Sequence, residues 1–338
     1  METIVLKKPG EFEVTDTPAP ADVPAAHALV RVRRVGICGT DWHAFRGRQP
    51  FFSYPRILGH ELGVEIEKVN DPSSSLKPGD RCAVEPYLNC GKCIACRRGH
   101  TNCCANLQVL GVHIDGGMRS QIVLPTSKLH KSEKLSLDQL ALVETLGIGC
   151  HAVNRAAPSR GEWVLIFGAG PIGLSIIPFA QAAGANVIVA DISASRLEFC
   201  RTHMKVAHTI VSEETLPQKL TETIGGNLPT IVMDATGNPQ SMMRCFDLVA
   251  PAGKIVFVGL FQGEVNFNDP NFHKREITLL ASRNAVSADF KRIINLIETG
   301  VVDTTPWITH RTAARDIVKS VSQWVDPNSG VLKAVVEF

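Results

Sequence analysis

The stretch WVLIFGAGPIGLSIIPFAQAAGANVIVAD, residues 163–191, decides the fold. It opens with an apolar run of strand length, passes into Gly168, Gly170 and Gly173 in GxGxxG spacing, and ends with a second apolar run closing on Asp191. A strand running through three such glycines into a helix is a dinucleotide-binding arrangement. The first glycine permits the tight turn, the second lets a pyrophosphate approach the backbone, and the third lets helix and strand pack closely. The phosphates then meet the positive end of the helix dipole. No charge occurs from 163 to 190, a length that a hydropathy scan reads as membrane-spanning. Gly168, Gly170, Pro171, Gly173, Pro178, Gly184 and Asn186 instead divide it into strand, turn, helix and strand, as a buried α/β core requires. Pro178 lacks an amide and is expected to kink the helix. Asp191 can accept hydrogen bonds from adenosine ribose hydroxyls and repels a 2′-phosphate, which favours NAD over NADP. Arg196 lies close enough to neutralise such a phosphate, or serves as solvated helix surface.

Outward from this stretch the alternation of strand and helix continues. VLIFGAG, NVIVAD, TIVMDATG and KIVFVGL are the strands within 147–281, which argues a parallel sheet covered on both faces. From 4 to about 146 the chain shows alternating or β-branched runs such as ALVRVRRV, GVEIEKV and RCAVEPY, a mostly β region. Residues 287–299 read as a helix with Phe290, Ile293, Ile294 and Ile297 on one face. The expected class is α/β, with a mostly β domain over 1–147 to which 282–338 returns, and a doubly wound parallel-sheet domain over 148–281.

The 338 residues allow two domains, and 44% hydrophobic with 20% charged residues is an ordinary globular composition. A net charge of +2 gives no global attraction to nucleic acid or an anionic membrane, so small molecules or further copies of the chain are the expected partners. The start METIVLKKPGEFEV does not read as a secretory signal, and a cytoplasmic location is expected. Ten cysteines there suggest metal rather than disulfides.

Cys90, Cys93 and Cys96 form CxxCxxC, and Cys104 follows on the same loop. Four thiolates this close can wrap tetrahedrally around Zn²⁺, the closed geometry of a structural site. An iron–sulfur cluster is a smaller rival, and Cys103 competes for the fourth place. Upstream, GICGTDWH holds Cys38, Thr40, Asp41 and His43, and LGHELG holds His60 and Glu61. A catalytic zinc takes three mixed ligands and leaves one position open. Cys38 and His60 can supply two, with Glu61 or the later Glu144 supplying oxygen. Asp41 can orient His60 from behind or cap the local turn.

CGTDxH, GHE, the four-cysteine loop, GAGPIG and SRN, in that order over the whole chain, resemble the zinc-containing medium-chain dehydrogenases. That resemblance implies a GroES-like catalytic domain, a Rossmann domain, a cleft between them, two zinc ions per chain and NAD. It implies Cys38 and His60 as catalytic-zinc ligands, Glu61 as ligand or near-ligand, and Glu144 at a fourth, sometimes water-mediated, position. Much of the family has Pro after that glutamate, where this chain has Thr145. Cys90, Cys93, Cys96 and Cys104 match the structural-zinc ligands. Along the nucleotide it implies Gly168, Gly170, Pro171, Ile172, Gly173, Asp191, Arg196, Thr236, Val258, Gly259, Ser282 and Arg283.

The segments RQPFFSYPRILGHE, GVHIDGG and IVFVGLFQGEVNFNDPNFHKRE, then SRNA, are similar to the L-galactonate 5-dehydrogenase branch of that family. The similarity implies oxidation of a hexonate to a ketohexonate, with a polyol such as sorbitol, or threonine, as the alternative substrate. His113, His273, Lys274, Arg283 and Asn284 become candidates to bind such a substrate, each equally readable as surface charge or interface bonding. A proton relay through Thr40 to His43 is expected, since an imidazole of ordinary pKa about 6.5 suits release to solvent. The family implies a homodimer or homotetramer formed through the edge of the Rossmann sheet, and the apolar run near 255–260 fits that role or burial within one subunit. A zinc-free NADPH reductase would not need both cysteine sets, and a crystallin-like non-catalytic protein would not need Thr40 and His43.

Overall fold

The computed structural model describes residues 1–49, 52–326 and 329–338. The chain divides into two compact units, one of 1–144 with 286–338 and one of 145–285.

The first unit is built on a sheet whose strands are ordered Ile308–Ala313, Lys333–Glu337, His27–Gly36, Glu61–Asn70, Arg81–Val84 and Leu129–Lys131, with Gln121–Pro125 also paired to His27–Gly36. Alternate residues turn inward, so Val30, Val32, Leu62, Val64 and Leu124 join Ile4 and Leu6 in one apolar core. Each such side chain contributes about 1.5–3 kcal/mol by leaving water. His27–Gly36 and Glu61–Asn70 run antiparallel with Val35 opposite Leu62 and Gly36 opposite Glu61. The chain leaves the first of these strands into the short helix Gly39–Phe45.

The long helix Leu137–Ala156 corrects the expectation of β structure as far as residue 146. Residues 140–147 are buried without interruption, so no polar stripe marks a helical period. Its start lies directly over Gly63, where a Cβ would come within 2.2 Å of the Leu137 carbonyl oxygen. That close approach sets the depth at which the helix delivers Glu144.

The second unit contains a parallel sheet ordered His208–Val211, Asn186–Asp191, Trp163–Phe167, Ile231–Asp234, Lys254–Phe257 and Thr278–Ala281. The four strands expected from sequence are its centre. The two outer strands, HTIV and TLLA, are four residues each, too short to carry a clear signal. The strand at Lys254–Phe257 pairs on both sides, so it is not an edge; Thr278–Ala281 is. The uncharged stretch resolves into strand Trp163–Phe167, helix Pro171–Ala182 and strand Asn186–Asp191, the helix continuing through Pro178. Among the described residues no helix is long and apolar enough to cross a membrane.

Strand register aligns Phe167 with Ala190 and Asp234, Asp234 with Phe257, and Phe257 with Ala281. The residues that follow, including Gly168, Asp191, Ala235, Val258 and Ser282, therefore share one edge. Strand order reverses direction about Trp163–Phe167, where parallel sheets bind ligands.

Gly63→Ala should lower stability by about 1–3 kcal/mol through overpacking against the helix backbone. Thermal melting checks this against Gly39→Ala, whose Cβ would meet nothing within 4 Å. Equal melting temperatures for the two variants would refute the close approach.

Candidate active site

The metal centre is assembled by the strand pair described above. Cys38 stands in extended conformation at the start of the helix Gly39–Phe45, and its amide donates to Asp41 Oδ2 at 2.9 Å. His60 and Glu61 stand at the start of the neighbouring strand, opposite Gly36. Ligand atoms of Cys38, His60 and Glu61 all lie within 4.8 Å of one another. Gly36 is required here, since a Cβ would sit 2.2 Å from Glu61 Oε2. Asp41 takes the turn-capping role and also faces His60, with Oδ1 3.8 Å from Nδ1. That is too long for a hydrogen bond, and the buried Nδ1 has no partner.

Two residues that sequence reasoning missed complete the centre. Lys333 Nζ donates to both oxygens of Glu61 at 2.6 and 2.7 Å and to the Ile37 carbonyl at 3.3 Å. Its signal was a lysine opening the apolar strand KAVVE. The Tyr87 hydroxyl donates to Glu144 Oε1, both side chains being buried. Its signal was only its place in RCAVEPY, just before the cysteine loop.

The electrostatics of the centre suit a cation. Burial raises the Asp41 carboxyl, and burial likewise raises Glu144, with His60 opposing. Burial disfavours charge on His60, yet Asp41 and then Cys38 hold it well above its ordinary value. Lys333 is raised in the same sense, chiefly by Glu61 against its burial. Three buried carboxyl groups and the half-buried Cys38 thiol thus crowd one lysine and draw protons onto an imidazole. A thiolate, an imidazole with an orphaned nitrogen and a carboxylate fit a divalent zinc of catalytic type. Glu144 lies outside the group of three.

In the cysteine loop, ligand atoms of Cys90, Cys93, Cys96 and Cys104 also lie within 4.8 Å of one another. The Cys90 and Asn106 amides each donate to Cys104 Sγ at 3.3 Å. Cys104 is buried, whereas Cys103 is exposed on the turn before it, which decides between them. Hydrogen bonding from the Cys96 amide pulls Cys93 down to about 6, while burial pushes Cys96 up to about 11. Four thiolates do not ionise together without a cation, and the donor set fits a structural zinc.

At the nucleotide edge Gly168 has φ +96°, and a Cβ on Gly173 would lie 1.7 Å from the Gly168 carbonyl oxygen. Gly170 and Pro171 start the helix Pro171–Ala182, with Ile172 in its first turn. Asp191 accepts from the amides of Ala169 at 2.6 Å and Ser193 at 2.7 Å, tying the glycine loop to the next strand end. The Arg196 guanidinium comes within 4.0 Å of where a Gly170 side chain would begin. Asp234, also missed, does for the strand Ile231–Asp234 what Asp191 does for Asn186–Asp191. It accepts from the amides of Thr236 and Gly237 and from the hydroxyls of Thr236 and Ser241. The Val258 and Gly259 amides donate to its carbonyl, and a Cβ on Gly259 would collide with Gly237. Ser282 extends the last strand's ladder through its amide, while its hydroxyl and the Asn284 amide nitrogen are buried without partners. Arg283 between them is exposed.

Thr40 and His43 lie one turn apart on the helix Gly39–Phe45, His43 exposed. His113 is exposed in the first unit, its Nδ1 accepting from the Val109 amide at 3.0 Å. His273 and Lys274 are corrected. They end the helix Asp269–Lys274, which runs back to the starts of the strands, where the Ala252 amide donates to the Arg275 carbonyl. They stand at the end of the sheet opposite the glycine loop and cannot serve a substrate there.

Residues 24–134 match the alcohol dehydrogenase GroES-like domain, and residues 171–299 match the zinc-binding dehydrogenase domain. The chain is 40% identical to L-galactonate-5-dehydrogenase of Escherichia coli K12, covering 100% of this chain and 99% of that protein. It is 32% identical to L-arabinitol 4-dehydrogenase of Hypocrea jecorina, covering 94% and 86%. The structure of alcohol dehydrogenase RspB from E. coli CFT073, complexed with NADH, superposes with TM-score 0.93 at 30% identity, covering 100% and 99%.

Cys104→Ser should lose about one zinc per chain and melt lower, since structural zinc contributes folding free energy. Cys103→Ser should keep its full metal content. Elemental analysis of both variants checks the assignment, and the reverse result would overturn it.

Proposed function

The chain belongs to the zinc-binding dehydrogenases, and from that we propose that it oxidises a secondary alcohol of a sugar acid, L-galactonate first among them, to a ketohexonate with NAD. The observation that carries the reading is the donor set of half-buried Cys38 with buried His60 and Glu61 in a chain 40% identical, end to end, to an L-galactonate dehydrogenase.

Zinc held by Cys38, His60 and Glu61 supplies Lewis acidity, which lowers the pKa of an alcohol, and NAD supplies the hydride acceptor. The chain's own residues do the rest. Asp41 faces His60 Nδ1 and, on closing the 3.8 Å gap, fixes the ring so that Nε2 is presented to the metal. Gly36 and Lys333 hold the Glu61 carboxylate in place. The Thr40 hydroxyl accepts the alcohol proton as it passes its own to a nicotinamide ribose hydroxyl, and from there the proton reaches His43, one turn on and exposed, for release to solvent. Cys90, Cys93, Cys96 and Cys104 hold a second, structural zinc. Asp191 accepts from the adenosine ribose hydroxyls and selects NAD over NADP. The glycine loop receives the pyrophosphate. Thr236, Val258, Gly259 and Ser282 border the nucleotide on the same edge, and Asn284 offers its unpartnered amide beyond them.

A polyol substrate is the second reading, supported by the arabinitol dehydrogenase similarity. A cytoplasmic homodimer or homotetramer follows the same reasoning. Its contact is the free sheet edge at Thr278–Ala281, where Leu279 is 39% exposed.

Absorbance at 340 nm should rise fastest with L-galactonate and NAD, slower with L-arabinitol, sorbitol or threonine, and slower with NADP. A polyol preference would replace the hexonate reading. Cys38→Ser should abolish turnover yet bind NAD as before by fluorescence titration. Equal loss of both would refute the separation of metal and nucleotide sites.

A further inference from the structure

Two buried carboxylates, Glu61 and Glu144, lie by the same histidine, His60, although a catalytic zinc of this type needs one oxygen ligand. Their partners differ in kind. Glu61 is gripped through both oxygens by the Lys333 ammonium, and its ligand atom lies within the Cys38 and His60 group. Glu144 is held through Oε1 alone, by the neutral Tyr87 hydroxyl, and lies outside that group.

Tyr87 is well anchored for such a task. It is 2% exposed, and its backbone pairs with Val109 in the ribbon that flanks the cysteine loop. Its ring meets Phe290 edge-on at 6.4 Å between centroids, and Phe290 in turn stacks on His130 at 5.0 Å. His130 Nε2 lies 3.0 Å from Glu85 Oε2, which also accepts from the Ser287 hydroxyl, while Lys128 pairs with Oε1. The hydroxyl is therefore the tip of a buried, fully engaged assembly rather than a free rotor.

We propose that Tyr87 is a positioning residue: its hydroxyl restrains Glu144 so that Glu61, and not Glu144, completes the metal's protein ligands, and the fourth position stays open for substrate. This rests on the zinc reading of Cys38, His60 and Glu61. Without the hydroxyl, Glu144 is released to close the open position.

The test is the visible spectrum of cobalt-substituted protein, which reports the ligand set without turnover. Glu144→Gln, whose amide oxygen can still accept from Tyr87, should leave the spectrum of the native ligand set unchanged. Tyr87→Phe should alter the ligand-field bands, and Tyr87→Phe with Glu144→Gln should restore them. In the zinc enzyme Tyr87→Phe should lower kcat by about 10- to 100-fold with KM for NAD unmoved. An unchanged Tyr87→Phe spectrum, or a changed Glu144→Gln spectrum, would overturn the proposal, and the latter holds even where Tyr87→Phe fails to fold. Failure of the zinc reading has a separate mark: with zinc kept at the four-cysteine site and cobalt only at the other, Cys38→Ser leaves the cobalt spectrum unchanged.

Discussion

Strands His27–Gly36 and Glu61–Asn70 pair with Gly36 opposite Glu61, and the glycine leaves the space that the glutamate carboxylate occupies. Everything at the metal centre follows from that pairing. Because the register is antiparallel, the residue two beyond Gly36 and the residue just before Glu61 meet at one end of the pair, and these are Cys38 and His60. A slip of one residue would turn Glu61 to the other face and separate the donors. The same strand, through Gly63, sets the height of the helix that carries Glu144. Ligand geometry is thus set where the paired strands end, Cys38 just after one and His60 just before the other, which suits a site that must be stiff.

The buried charges at this centre are not a source of stability in themselves. Removing either partner of the Glu61 and Lys333 pair leaves an unpaired buried charge, a loss of about 3–5 kcal/mol. What the pair provides is a fixed carboxylate. The surplus of acidic groups over lysine gives a divalent cation its place, and it accounts for the upward pull on His60. Lys333 comes from the last strand of the chain, so the centre is complete only when residues 333–337 have joined the sheet.

The second unit solves a different problem with the same economy. Asp191 and Asp234 end the two strands that flank Trp163–Phe167, and each turns its carboxylate onto loop amides at that edge of the sheet. Backbone donors that would otherwise point unsatisfied out of the strand ends are gathered into order, and glycines at 168, 237 and 259 let those loops interlock. Asp191 retains lone pairs for ribose hydroxyls after accepting its two amides, because a carboxylate offers about four acceptor sites.

Which parts of this were legible in sequence depends on how far the chemistry reaches along the chain. GAGPIG and the cysteine loop are local, so spacing alone carries their meaning. Tyr87 acts on Glu144 and Lys333 on Glu61 across 57 and 272 residues, and no spacing rule connects them. His273 and Lys274 were misplaced because composition marks a cation but not the direction in which its helix runs. Thr145 shows the converse, a departure from the family pattern whose meaning the fold supplies. It lies inside the helix Leu137–Ala156, where proline costs about 3 kcal/mol relative to alanine and threonine well under 1. The threonine therefore keeps a regular helical backbone beneath Glu144, whose carboxylate is met from outside the helix by the Tyr87 hydroxyl.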